Sequence, residues 1–150
     1  MHRLYENDTI SVFWDSDKCR HAKRCVTGSP DTFDITRKPW ININIAPTAE
    51  IWQTISKCPT GALTVTYNHD VRVVFDEDNH RSVALDGERQ IGECDYQDTG
   101  EAWTIYHTEV DPEYEGKGIA KRLVYCIVQE AEHRKTAIVP TCSYAVKVLS

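Results

Sequence analysis

Three cysteines and one pair of glycines are the residues of this sequence whose types and spacing point to chemistry. Cys19 and Cys25 lie six positions apart in the polar loop Asp15 to Cys25, and Cys58 is followed directly by Pro59. A run of cysteines closed by a distant Cys-Pro is the ligand pattern of an iron–sulfur cluster. Here Cys19 and Cys25 take the first and third places of such a run, and Ala22 stands in the middle place. Soft thiolates gathered on one loop suit iron–sulfur or zinc. His21 lies between the paired cysteines. Cys19, His21, Cys25 and Cys58 therefore also satisfy a Cys3His zinc set, and spacing alone leaves both metals open. Arg20, Lys23 and Arg24 make the loop positive, which suits an anionic cluster or an acidic redox partner protein.

The glycines are Gly116 and Gly118, in Glu113-Tyr-Glu-Gly-Lys-Gly118. Tyr106 to Val110 read as the end of a strand. After the glycines, Ile119, Ala120, Leu123, Val124, Ile127, Val128 and Ala131 recur at helical spacing. Strand, Gly-x-Gly and helix together present backbone N–H groups to an anion. The first N–H groups of a helix have no partner inside it, the helix dipole adds partial positive charge, and glycine permits close approach.

The elements that must position these residues follow from pattern and punctuation. In the first half a strand is expected over Thr9 to Trp14 and another around Trp40 to Ile43. A helix after Pro47 carries Ile51, Trp52 and Ile55 on one face and stops at Cys58-Pro59, and Ala62 to Tyr67 resumes as strand. In the second half Arg81 to Leu85 and Gln90 to Tyr96 flank Asp86-Gly87, a hairpin signal. A third strand runs from Trp103 to Val110, a long helix from Lys117 to His133, a fourth strand from Thr136 to Val139, and a short helix closes the stretch to Leu149. The polar segment Asn68-His-Asp70 is the expected boundary between domains 1–69 and 70–150. The fold class is α+β: a small α+β domain followed by a small α/β domain.

Composition bounds the function. The chain has 150 residues and a formal charge of −6, which argues against nucleic acid as its main partner. No apolar run approaches the roughly 20 residues that span a bilayer, and Met1 to Asp8 lack the apolar core of a secretory signal. Membrane attachment is thus not expected, and the expected location is cytoplasmic. Six cysteines in a reducing compartment point to metal binding or reactivity rather than pairing.

Longer stretches carry two resemblances. Cys-x-His-x-x-x-Cys-Val, Ser-Pro-Asp-Thr-Phe-Asp, Arg-Lys-Pro-Trp-Ile and Cys-Pro-Thr-Gly-Ala-Leu occur in order between Val12 and Tyr67. This stretch resembles the divergent single-cluster ferredoxin-like domain of small bacterial iron–sulfur proteins. The resemblance implies a cluster ligated by Cys19, Cys25 and Cys58. The absence of a cysteine at Ala22 leaves a 3Fe-4S cluster, or a 4Fe-4S cluster with a non-cysteine ligand, for which His21 is the candidate. From Val71 to Leu149 the strand order, Gly-Lys-Gly-Ile-Ala at 116–120, His-Thr-Glu-Val at 107–110 and Thr-Cys-Ser-Tyr at 141–144 resemble the minimal Gcn5-related N-acetyltransferase (GNAT) family. Larger relatives open this turn with Arg or Gln, where this chain has Glu113.

The second resemblance implies binding of acetyl-CoA or CoA, with backbone contacts from Gly116, Lys117, Gly118, Ile119 and Ala120 to the phosphates. It also implies that Val110 meets the pantetheine arm. Acetyl transfer to a small-molecule or protein amine needs a base, an oxyanion stabiliser and a proton for the leaving thiolate. Glu109 is the candidate base, provided it faces the cleft, and Tyr144 the candidate acid. Cys142, which the family word puts near the CoA thiol, is a candidate for thiol chemistry. Cys94 and Cys126 read as core. The expectation is an iron–sulfur module fused to an acetyltransferase-fold module. The alternative is a redox-responsive CoA-binding or electron-transfer protein.

Overall fold

The computed structural model describes residues 2–7, 9–15, 28–29, 31–34, 40–44, 47–58 and 62–149. The chain forms two compact units, Met1–Tyr67 and Asn68–Ser150, and the molecule is α+β.

The first unit holds an antiparallel sheet in the order β1 (His2–Glu6), β2 (Ile10–Asp15), β3 (Leu63–Tyr67). Helix α1 (Thr48–Ser56) begins after Pro47. Ile51 and Ile55, one turn apart, share a buried cluster with Ile10, Val12, Phe33 and Leu63. Trp40 to Ile43 do not extend as the expected strand. They make one isolated bridge, Phe33 to Ile41, because the Asn42 side chain accepts from the Asn44 N–H at 3.0 Å and bends the chain.

The second unit is a five-stranded sheet in the order β4 (Val71–Asp76), β5 (Arg81–Asp86), β6 (Arg89–Asp98), β7 (Ala102–Val110), β8 (Ala137–Pro140). All pairs are antiparallel except β7 with β8, which are parallel and joined by helix α2 (Ile119–His133). The β5–β6 hairpin turns at Gly87, whose φ of +63° suits glycine. Helix α2 lays Ile119, Leu123, Ile127 and Val128 against Ala84, Cys94 and Ile105. A short helix α3 (Ser143–Leu149) follows β8. Strands β1 and β4 are additions to the expected set. Helix α2 starts two residues later than Lys117, because Gly118 takes the N-cap place with φ +74°.

Candidate functional site

The site lies where β7 parts from β8. Their pairing stops at Ile105 and Pro140. The Ile105 carbonyl then accepts the N–H groups of Thr141 at 2.9 Å and Cys142 at 3.2 Å, and the chain turns into α3. The half of β7 from Tyr106 to Val110 runs on without β8 beside it. A cleft of about 380 Å³ opens there, lined by Thr108, Val110, Gly116, Gly118, Ile119, Ala120 and Tyr144, with Tyr114 and Glu115. This is within the size range of small-molecule sites, roughly 300–1,000 Å³.

One rim of the cleft is the head of α2. Gly116 and Gly118 have φ of +77° and +74°, a backbone that side chains strain to adopt. A Cβ built on Gly116 would meet nothing within 4 Å, so the space beside it is open. No side chain caps α2 at Gly118. The first N–H groups of the helix thus face the cleft, with the helix dipole behind them, and this is the geometry of an anion cradle.

The loop leading to it is braced by the β5–β6 hairpin. Arg89 pairs with Asp111 at 3.0 Å, and the Asp111 carboxylate accepts the Glu113 N–H at 3.0 Å. The Tyr114 hydroxyl donates to Asp86, a bond that holds the phenol above its ordinary pKa. The Lys117 ammonium lies 5.6 Å from the centre of the Tyr114 ring. The sequence reading missed Asp86 and Tyr114, since a hairpin turn and a phosphate loop 28 positions apart share no local pattern.

A β-bulge decides which side chains enter the cleft. Asp95 pairs with His107 but Tyr96 pairs with Ile105, so Tyr106 is an extra residue on β7. Without it Glu109 would share the face of Ile105. With it, Thr108 and Val110 take the cleft face. His107 and Glu109 point to the other side, 3.4 Å from each other, and the Glu109 side chain is 67 % exposed. The condition set for Glu109 as base, that it face the cleft, is therefore not met. On that opposite face Asp95 sits beside Glu93, Arg81 and His107. Burial, then the neighbouring Glu93, raises its carboxyl pKa to about 6.

Tyr144 lines the cleft, and burial pushes its phenol pKa up. Cys142 is half-buried against the core of the unit. Its sulfur accepts the Ala145 N–H at 3.3 Å and lies 3.5 Å from the Thr108 hydroxyl oxygen. The same hydroxyl donates to Cys94 at 3.4 Å. Cys94 is fully buried, and desolvation holds its thiol at about 12, so it stays protonated. Cys94 is core, as expected. Thr108 is a contact that the sequence reading did not find.

Of the expected metal ligands, Cys19, His21 and Cys25 lie outside the described residues. Cys58 is described: it follows α1, its N–H donates to the Ile55 carbonyl at 3.0 Å, and it packs against the core of the first unit. The loop that carries the other three leaves β2 at Asp15, whose N–H bonds the Ala62 carbonyl at 2.8 Å. Asp15 and Ala62 therefore lie at the same end of the sheet. Trp14 ends the neighbouring register pair with Leu63. Its indole N–H is buried with no acceptor among the described residues, and a sulfur-rich group at this end would supply one.

The second unit is thus an α/β arrangement whose mixed sheet splits beside the head of a helix. Sequence comparison agrees: residues 81–150 match the family described as GCN5-related N-acetyl-transferase, and residues 5–68 match the divergent 4Fe-4S mono-cluster family. Each match covers just under half of the chain, and the two lie one after the other in one polypeptide. It is also similar to the uncharacterized protein YjdI of Escherichia coli (strain K12), at 35% identity over 68 residues, which is 45% of this chain and 87% of the relative. The same figures hold for YjdI of Escherichia coli O157:H7.

Proposed function

We propose that the second unit binds acetyl-CoA or CoA and transfers acetyl to an amine, and that the first unit carries an iron–sulfur cluster. The observation that carries the first part is the cradle of Gly116, Gly118 and the head of α2, opening into the cleft beside the unpaired half of β7. Backbone N–H groups at Gly116, Lys117, Gly118, Ile119 and Ala120 hold the pyrophosphate, with the Lys117 ammonium adding charge. The free edge of β7 at Val110 offers backbone partners to the amides of the pantetheine arm. When bound, acetyl-CoA supplies an activated thioester acyl group. Tyr144, which lines the cleft, gives a proton toward the leaving sulfur. Glu109, paired with His107 on the other face of β7, lies outside the cleft and does not reach an amine at the thioester.

In the first unit Cys19, Cys25 and Cys58 ligate the cluster, of 3Fe-4S or 4Fe-4S type, with His21 as the further ligand of the latter. A cluster on a positive loop suits exchange of electrons with an acidic redox partner. With its thiols reduced, the protein belongs in the cytoplasm. Among the described residues no helix is long and apolar enough to cross a membrane.

Anaerobic purification with metal analysis and mass spectrometry of co-purified ligand tests both parts. Iron with sulfide and a bound CoA species is expected. Stoichiometric zinc in a colourless protein would remove the cluster. Thiol release from acetyl-CoA with a panel of amines tests turnover. A second reading, a redox-responsive CoA-binding protein, is favoured by the Cys142–Thr108–Cys94 contacts. It predicts tight CoA binding with no turnover on any amine.

A further inference from the structure

The contacts around Thr108 assign it a role that neither the glycine cradle nor Tyr144 provides. Its hydroxyl lies between two sulfurs, 3.4 Å from Cys94 and 3.5 Å from Cys142, and its residue lines the cleft. A hydroxyl has one proton to give and rotates to suit its neighbours. With Cys142 as a thiol, its S–H donates to Thr108 and the Thr108 O–H donates to Cys94. With Cys142 as a thiolate, the O–H turns to the charged sulfur. The bond it leaves is a weak one to a neutral thiol, and the bond it gains is charge-assisted. Cys94, fully buried, does not compete for the charge. The Ala145 N–H at 3.3 Å gives the Cys142 sulfur a second, fixed donor.

We propose that Thr108 is a positioning residue for Cys142: a hydroxyl rotor, parked on Cys94, that turns to hold the Cys142 sulfur when it becomes a nucleophile. The tyrosine bulge in β7 is what makes this possible, since it brings Thr108 rather than Glu109 to the cleft side. The inference concerns the reactivity of Cys142 itself. It stands or falls separately from CoA binding and acetyl transfer.

The test is residue-resolved alkylation of the full-length chain by iodoacetamide at neutral pH, read on the Cys142 peptide by mass spectrometry. In this reaction the sulfur forms a bond to the methylene carbon, iodide leaves, and the thiol proton goes to buffer. Thr108→Val keeps the shape and removes the hydroxyl; it is expected to slow Cys142 alkylation about tenfold, the loss of one charge-assisted hydrogen bond. Thr108→Ser is expected to restore most of the rate. Thr108→Ala against Thr108→Ser gives the same comparison should the valine variant fold poorly. Cys94→Ala, which removes only the parking partner, is expected to leave the rate at or above that of the unaltered chain. Alkylation of Thr108→Val at the unaltered rate would overturn the proposal, as would a Thr108→Ser as slow as Thr108→Ala. A fall in Cys94→Ala would replace the rotor with a proton path through Cys94, and so overturn it too.

Discussion

Gly118 holds φ +74° at the head of α2, and there a side chain costs about 1 kcal/mol of backbone strain. Gly118→Ala should lower stability by about that much, seen as a modest fall in the thermal midpoint. It should also weaken CoA binding in calorimetry by more than the strain explains, since the cradle must distort as well. Glu109→Gln provides the contrast. With its side chain on the far face of β7, it should leave both CoA affinity and turnover unchanged; a loss of either would mean that the bulge does not set the faces of the strand. Asp95 predicts a pH dependence. Its carboxyl is raised from 3.8 to about 6 by burial and by Glu93. The folded state therefore binds its proton more tightly than the unfolded chain does. That contribution is fully present below 3.8 and is lost as pH rises through about 6. Thermal midpoints across this window should fall less steeply for Asp95→Asn than for the unaltered chain. Identical slopes would dismiss the strain at Asp95.

At the scale of elements, the approach of β6 to β7 is set by Gly92. A Cβ there would come within 2.9 Å of the Glu109 carbonyl oxygen and 3.3 Å of Leu123. Gly92→Ala must push the end of β7 away from β6 or from α2. It should cost roughly 1–3 kcal/mol, the range for overpacking, measured by denaturant unfolding, and should loosen the cleft at Val110. Much of this unit was legible in the sequence because its signals are local. Asp86-Gly87 marks the hairpin, and the stripe from Ile119 to Ala131 marks α2. Strand β1 was not legible, since His2-Arg-Leu-Tyr-Glu6 is half-buried on both faces and does not alternate. The bulge at Tyr106 was not legible either. It arises from pairing between strands, and no residue type announces it, so the faces of Thr108 and Glu109 could not be read from alternation. The Asp86–Tyr114 brace was hidden for the same reason.

At the scale of the molecule, the chain has two units with separate cores, and the two proposed chemistries divide between them. Cys58→Ser should abolish cluster loading, seen as loss of visible absorption and iron, while CoA affinity of the second unit persists. Loss of CoA binding in that variant would instead tie the two sites together. Sequence signals served the whole molecule well in this respect, because cysteine spacing and the glycine pair sit in different stretches of the chain. Strand β8 carries one more consequence. It is a four-residue edge strand, and both it and α3 expose large apolar side chains, Val139 and Val146 among them. Elements so short and so lightly buried open first in hydrogen exchange. The Thr141 and Cys142 amides that tie this edge to the Ile105 carbonyl should therefore exchange with solvent early, and slow when a ligand fills the cleft beside them. Deuterium uptake over residues 137–149 thus becomes a label-free gauge of occupancy, usable before any substrate has been identified.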